Sequence, residues 1–300
     1  MPVRPTFRFA PSPNGDLHLG HAYSALLNAQ MARSAGGRLL LRIEDIDRGR
    51  SREAFIAQAL SDLAWLGLHW EEPVRRQSEH FDDYAAAISR LDALGVLYPC
   101  FATRADIEAA ARSSTAASDP DGAPLYPGLW RGVMGGAVDE RLRSGDKPAL
   151  RLDMARALRL VDAAALTIPI FEANGGQGER GADPARWGDA VIVRKDTPAS
   201  YHLAVVVDDA LQGVTHVVRG ADLEAATDLH RLLQALLGLP VPRYHHHALI
   251  LDRHGEKLAR EVKYVPLPSK AYSHNLEIFS KKQLGTKFGG ENKVGLTIEE

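Results

Sequence analysis

The chain has 300 residues, 45% of them hydrophobic and 25% charged, with a net charge of -2. That is the composition of a globular protein of roughly two domains with a core of its own, and it excludes a wholesale basic coat for nucleic acid while leaving room for a local basic patch. The single cysteine, Cys100, excludes an intramolecular disulfide and any multi-cysteine zinc site. No apolar run reaches the roughly 18 residues of a membrane span, and the N-terminal MPVRPTFRFAPSP has no signal-peptide pattern, so the expected compartment is the cytoplasm, without membrane contact.

Along the chain, Thr6–Ala10 reads as a short buried strand, punctuated by the turn cluster Pro11, Pro13, Asn14 and Gly15. Small and apolar residues over Leu19–Arg33 suit a helix, which Gly36-Gly37 ends. Arg38–Glu44 (RLLLRIE) is almost continuously apolar, as in a strand covered on both faces. Helical patterns follow at Arg52–Leu66 and His80–Leu94. Strand and helix alternate through the first hundred residues, which predicts an α/β fold with a parallel sheet and right-handed crossovers.

The middle changes character. Residues 113–136 and Asn174–Asp183 are rich in Ser, Pro and Gly, and flank short apolar runs at Ala149–Leu152, Leu158–Val161 and Ile168–Phe171. Residues 98–183 read as an inserted subdomain with loops. Strands are expected at Asp189–Arg194, Thr215–Arg219 and Tyr244–Leu251, and a helix at Leu223–Leu237. His202–Leu211 (HLAVVVDDAL) fits either element by periodicity. The expected organisation is therefore 1–97 and 184–260 as two halves of one domain, 98–183 inserted between them, and 261–300 as a divergent tail.

The first constellation with chemistry in it is Arg8–His21 (RFAPSPNGDLHLGH). A strand feeds a Pro/Gly turn, and His18-Leu19-Gly20-His21 opens a helix. Backbone N–H groups and the positive end of the dipole attract phosphate there. Gly20 admits close backbone approach, and His18 and His21 can donate hydrogen bonds to phosphoryl oxygens as charge builds. The bland alternative is that both histidines cap or pack, and the tetrapeptide alone does not decide.

Arg8–His21, together with Leu41–Asp47 and Arg52, resembles class I glutamyl-tRNA synthetases, in which the HLGH tetrapeptide is the "HIGH" motif that contacts ATP. Ala199–Asp209, Thr215–Leu223 and His254–Arg260 follow in that family's order, so the resemblance spans residues 5–260. At most 40 residues remain for a C-terminal anticodon-binding region, which points to the shortened paralogue, the glutamyl-queuosine tRNA(Asp) synthetase family. The resemblance implies a class I aminoacyl-tRNA synthetase Rossmann-type sheet with an inserted subdomain and no anticodon-binding domain. It implies ATP-dependent, tRNA-independent activation of L-glutamate, with Mg2+ accompanying ATP. Transfer to queuosine in the anticodon of tRNA(Asp) would follow. A truncated enzyme charging tRNA(Glu), another HxGH nucleotidyltransferase and a non-catalytic tRNA-binding paralogue stand as alternatives.

By the same resemblance, Arg8, Ser12, Glu44, Tyr201 and Arg219 line the glutamate site, with Glu44 on the ammonium. The forked guanidinium of Arg suits carboxylates. A structural Arg8–Glu44 pair between neighbouring strands is the plain alternative. Pro11, His18, Gly20 and His21 would line the ATP site. Lys257 and Arg260 fall in a "KMSKS"-like loop, where Arg260 replaces the usual lysine. His18, His21, Lys257 and Arg260 are the expected catalytic set, and Arg75, Arg76, Arg104 and Arg131 are candidates for contact with tRNA.

Many members of the family bind zinc through a C-x-C pair, a Tyr and a further Cys. Here Cys100 and Tyr126 match, but Ala102 and Trp130 stand at the other two positions, so no structural zinc is expected. His245-His246-His247 cannot converge on one ion if it is a strand, because alternate side chains point to opposite faces. Residues 1–260 hold 27 Arg and 3 Lys; residues 261–300 hold 6 Lys and no Arg. That seam suits either a lysine-bearing RNA tail or, as composition favours, a segment of different coding origin.

Overall fold

The computed structural model describes residues 4–112 and 117–250. Lys257, Arg260 and the tail 261–300 lie outside the described residues; the strand expected over Tyr244–Leu251 ends earlier, at His247. The chain order is β1 (Thr6–Phe9), α1 (Leu19–Ser34), β2 (Arg38–Ile43), α2 (Glu53–Trp65), β3 (Glu71–Arg76), α3 (Phe81–Ala93), β4 (Leu97–Cys100), α4 (Arg104–Arg112) and α5 (Gly136–Arg143). Then come β5 (Ala149–Leu152), α6 (Met154–Arg159), β6 (Thr167–Phe171), β7 (Gln177–Gly181), β8 (Val191–Val193), α7 (Tyr201–Leu211), β9 (His216–Gly220), α8 (Ala226–Leu237) and β10 (Arg243–His247).

Seven strands form one sheet in the order β3-β2-β1-β9-β10-β6-β7, and β4-β5-β8 form a smaller antiparallel one. All pairings in the large sheet are parallel except β6 with β7. From β1 the chain winds outward through β2 and β3, then returns to β9 and β10 on β1's other side. The crevice at the carboxyl ends of β1 and β9 is therefore the topological switch point of an open α/β sheet.

Strand alternation sorts the residues onto two faces. Phe7, Leu39 and Val218 pack with Tyr23, Leu27 and Met31 of α1, and Phe9 and Leu41 pack with Ala25 of α1 and with Ala59 and Leu63 of α2. Their neighbours Arg8 and Arg42 face α7 instead, reaching Asp209. Both faces of RLLLRIE are thus covered, as its pattern demands. The larger core cluster joins α3, α6, α7 and α8. Helix α8 has no side-chain N-cap, a lack worth about 1 kcal/mol. Its Leu229, Leu232 and Leu233 are fully buried, at about 1.5–3 kcal/mol of transfer each, and this fixes the helix regardless.

Three local features depart from the sequence reading. The stretch HLAVVVDDAL is helical, capped by the Ser200 hydroxyl, which accepts from Leu203 N. The Gly-rich Asn174–Asp183 stretch contains β7, which closes a hairpin on β6 through a turn at Asn174–Gly176. Strand β3 was not anticipated, because EEPVRR carries no apolar alternation; it is a partly exposed edge. Sheet membership also cuts across the boundaries 98–183. Strand β6, inside that segment, belongs to the large sheet, and β8, outside it, belongs to the small one.

Gly37 has a definite role in this scaffold. A Cβ there would meet the Pro5 carbonyl oxygen at 2.5 Å, so only glycine lets β2 begin beside the N-terminal strand. Among the described residues no helix is long and apolar enough to cross a membrane.

Candidate active site

A cavity of about 690 Å³ opens at the switch point, lined by Arg8, Pro11, Ser12, His18, Gly20, His21, Glu44, Tyr201 and Arg219 among others. Every described residue that the sequence reading assigned to glutamate or ATP borders it. Pro11 is tied to the end of β2, its carbonyl accepting from Glu44 N at 3.0 Å.

One wall of the cavity is the start of α1. His18 is the N-cap: its Nδ1 accepts from Gly20 N at 3.1 Å, and its own N–H donates to His21 Nδ1 at 3.3 Å. The two rings stack with centroids 3.7 Å apart. Both Nδ1 atoms accept, so in the neutral rings both protons sit on Nε2. Burial lowers the pKa of His18; burial and the neighbouring His18 lower that of His21 to about 4, against a smaller opposing pull from Asp222. The pair is neutral near pH 7, with Nε2–H donors left for the cavity. Capping uses Nδ1 of both rings and leaves Nε2 over, so it does not exclude the ligand contact that the sequence posed as its rival. Gly20 has a second reason to be glycine, since a Cβ would lie 3.0 Å from His18 Cε1.

The floor is a buried ion cluster. Arg42 is fully buried and donates to Asp209 at 2.7 Å, to Gln212 at 2.9 Å and to Glu44 at 3.1 Å, with Asp208 at 3.7 Å. Arg8, 5% exposed, pairs with Asp209 at 3.2 Å. Asp208 also accepts from Arg75, Gln77 and Tyr84. Burial pushes the Asp209 carboxyl up, but Arg8 and Arg42 outweigh it and hold the group below the usual range. Burial also pushes Glu44 up, and there Arg42 and Arg8 recover only part of the shift. Three guanidiniums, of Arg8, Arg42 and Arg75, thus meet three carboxylates, of Glu44, Asp208 and Asp209, and of the six groups Arg8 and Glu44 border the cavity. The Glu44 carboxylate at the cavity wall suits an ammonium group. The plain alternative of an Arg8–Glu44 pair is not what forms, since each takes another partner. Arg42, Asp208 and Asp209 were missed as site residues. The available signal was charge inside apolar runs, LLLRI and VVVDDAL, which demands a buried counter-charge.

The opposite end is different. Arg219, 5% exposed, donates to Thr227 at 2.6 Å, to His230 and His246 at 3.4 Å and to Tyr201 at 3.5 Å. It has no ion pair among the described residues. A buried guanidinium that borders a cavity and has no carboxylate partner among the described residues is suited to an anion.

A second cavity, about 730 Å³, shares Ser12, Asn14, Glu44, Tyr201 and Leu223 with the first and extends along Arg50, Arg104, Arg151 and Arg194 toward the small sheet. Of the tRNA candidates, Arg75 is spent on Asp83 and Asp208, Arg76 on Asp45 and Glu53, and Arg131 on Asp189. Arg104 alone of the four has no ion pair among the described residues.

The zinc-family positions do not make a zinc site. Cys100 Sγ donates to Tyr126 Oη at 3.3 Å, Tyr126 Oη accepts from Trp130 N at 2.8 Å, and the Trp130 ring packs edge-on to Phe101 at 4.8 Å. Among the described residues no group of three metal-ligating side chains is placed to hold an ion. The three consecutive histidines diverge, His245 toward Phe171 O, His246 toward Thr227 and His247 toward Tyr23.

Comparison with known proteins gives this geometry a family. The family described as tRNA synthetases class I (E and Q), catalytic domain, matches residues 5–273, thirteen residues beyond the last motif read from the sequence. A protein named Glutamyl-Q tRNA(Asp) synthetase from Rhodobacter capsulatus is 49% identical over 261 residues, covering 84% of this chain and 90% of its own. One of the same name from Symbiobacterium thermophilum is 42% identical over 262 residues, covering 84% and 77%. The solved glutamate-tRNA synthetase of Elizabethkingia anophelis superposes with a TM-score of 0.67 at 28% identity, over 85% of this chain; the chain spans only 52% of that structure's length. The chain belongs to the class I (E and Q) tRNA synthetases.

Proposed function

We propose that this protein activates glutamate with ATP, without tRNA, and transfers the glutamyl group to queuosine in the anticodon of tRNA(Asp). The observation that carries the reading is a single cavity with three matched walls. Neutral Nε2–H donors stand at a helix start, the Glu44 carboxylate stands at the floor on a buried ion cluster, and an arginine without an ion pair among the described residues stands at the far end. That order fits phosphate, ammonium and side-chain carboxylate in one substrate complex. The names of the relatives support the choice of acceptor.

In the first step an oxygen of the glutamate α-carboxylate attacks the α-phosphorus of ATP, and pyrophosphate leaves with its bonding electrons. The protein's part is placement and charge stabilisation. Glu44, held by Arg42, receives the ammonium; Arg219 receives the side-chain carboxylate, with Tyr201 beside it. His18 and His21 donate to phosphoryl oxygens. Lys257 and Arg260, outside the described residues, complete the ATP side by the family's pattern. Mg2+ arrives with ATP and is held by its phosphates. In the second step a hydroxyl of the queuosine cyclopentenediol attacks the activated carbonyl, and AMP leaves. The adjoining cavity receives the unstacked nucleoside, and Arg50, Arg104 and Arg194 meet its backbone.

Glutamate-dependent ATP–pyrophosphate exchange without tRNA tests the activation step, and its absence sinks the reading. Transfer to queuosine-containing tRNA(Asp) against tRNA(Glu) tests the acceptor, and charging of tRNA(Glu) alone sinks that half. His21→Ala is expected to cut exchange about 100-fold or more. The lost backbone hydrogen bond costs only about 1 kcal/mol, so the fold is kept. Unchanged exchange would refute the role of His21.

A further inference from the structure

Arg219 stands out from the other buried arginines by the company it keeps. Each of its acceptors is neutral, and they form a directional chain. His230 Nδ1 lies 3.4 Å from both terminal nitrogens of Arg219, and His230 Nε2 lies 3.2 Å from His202 Nδ1. Since a guanidinium only donates, His230 Nδ1 must accept. The His230 proton therefore sits on Nε2, which donates a hydrogen bond to His202 Nδ1. Thr227 Oγ1 accepts from Arg219 at 2.6 Å and lies 2.9 Å from His246 Nε2. Burial and the Arg219 charge hold His230 well below the usual histidine range, and bring His202 to about 4 and His246 to about 3. The His202 ring is wedged edge-on to Trp187 at 5.0 Å.

The same α7–α8 region has carboxylates to spare. Asp228, the residue after Thr227 on α8, is 1% exposed, yet it pairs with Arg180 and Arg186 instead. The position facing Arg219 is given to histidine. We infer that His230, backed by His202, is a specificity-determining positioning residue. It orients the Arg219 fork through a neutral acceptor and withholds an internal counter-anion, so that the substrate's side-chain carboxylate becomes the charge partner of Arg219. This rests on the glutamate reading above and adds to it the group that keeps the anion site open.

The test replaces His230 and follows glutamate-dependent exchange, with KM and kcat separated and thermal unfolding measured alongside. His230→Gln keeps a neutral acceptor and should hold KM for glutamate within about threefold. His230→Leu removes the acceptor and should raise KM about tenfold. His230→Glu supplies an internal carboxylate and should raise KM about 100-fold, with kcat at saturation within about threefold of wild type. Inhibition by glutamine, which lacks the charge, should weaken far less in His230→Glu than glutamate binding does. Equal KM values for the Glu and Gln variants, or losses confined to kcat, overturn the inference. If His230→Glu does not fold, Leu against Gln decides, and equal KM in those two overturns it. Wild-type protein without any glutamate-dependent exchange overturns the proposed function and this inference together. Exchange in wild type with no difference among the variants overturns the inference alone.

Discussion

The two ends of the cavity bury arginine in opposite ways. At one end Arg8 and Arg42 share Glu44, Asp208 and Asp209 within a closed ion cluster. At the other, Arg219 is buried as deeply and meets only hydroxyls and neutral imidazoles. The first arrangement is complete without ligand, and its charges satisfy one another. The second leaves a positive charge with no carboxylate partner among the described residues. Desolvating an ion costs several kcal/mol, so the second is tolerable only where a ligand or hydrogen-bond network offsets it. One end is therefore complete as part of the fold, and the other is the end that the proposed function gives to the substrate's carboxylate.

The largest effect should come from breaking the closed end. Asp209→Asn removes the carboxylate shared by Arg8 and Arg42 and leaves two buried guanidiniums short of charge. It should lose about 3–5 kcal/mol of stability, read as a lower urea midpoint, with or without glutamate present. A loss under about 1 kcal/mol would mean that the cluster contributes no more than a surface pair.

The open end should show itself through pH. His202 and His246, at about 4 and 3, lie below the unfolded value near 6.5. Between those values the unfolded chain binds more protons than the folded one, so stability is full above pH 6.5 and falls as pH drops toward 4. Each such histidine contributes a slope of up to about 1.4 kcal/mol per pH unit. Denaturant titrations at pH 7 and 5.5 measure this slope. His202→Gln, which keeps an acceptor for His230 but does not titrate, should flatten it, and an unchanged slope would move the titration elsewhere.

This contrast was only half legible in the sequence. The strand–turn–helix of Arg8–His21 could be read from its turn residues and family motif, and a parallel sheet followed from alternating strands and helices; the switch point needed the strand order. Ser12, Glu44, Tyr201 and Arg219 came from resemblance rather than from physics. The ion cluster left a physical trace, an arginine in LLLRI and paired aspartates in VVVDDAL, but pairing them requires knowing that β2 lies beneath α7. His230 left none: in LHRLLQALL a histidine on an apolar helix face is equally a core residue. Its role exists only because β9 and α8 bring positions eleven residues apart into contact. Strand β3 escaped for a different reason, because edge strands need not alternate.

The smallest expected effect lies at the seam between the two ends. Tyr201 begins α7 and borders both cavities, and its hydroxyl accepts from Arg219 at 3.5 Å, the longest of that arginine's contacts. Burial pushes the hydroxyl pKa up, so it remains a neutral phenol. Tyr201→Phe keeps the ring and removes one long, neutral hydrogen bond, worth about 0.5–1.5 kcal/mol. KM for glutamate should rise about 2- to 10-fold in pyrophosphate exchange, with little change in thermal stability. If the loss instead clearly exceeds that of His230→Leu, the hydroxyl itself meets the substrate, and the orientation of Arg219 depends less on the histidine chain than on the tyrosine.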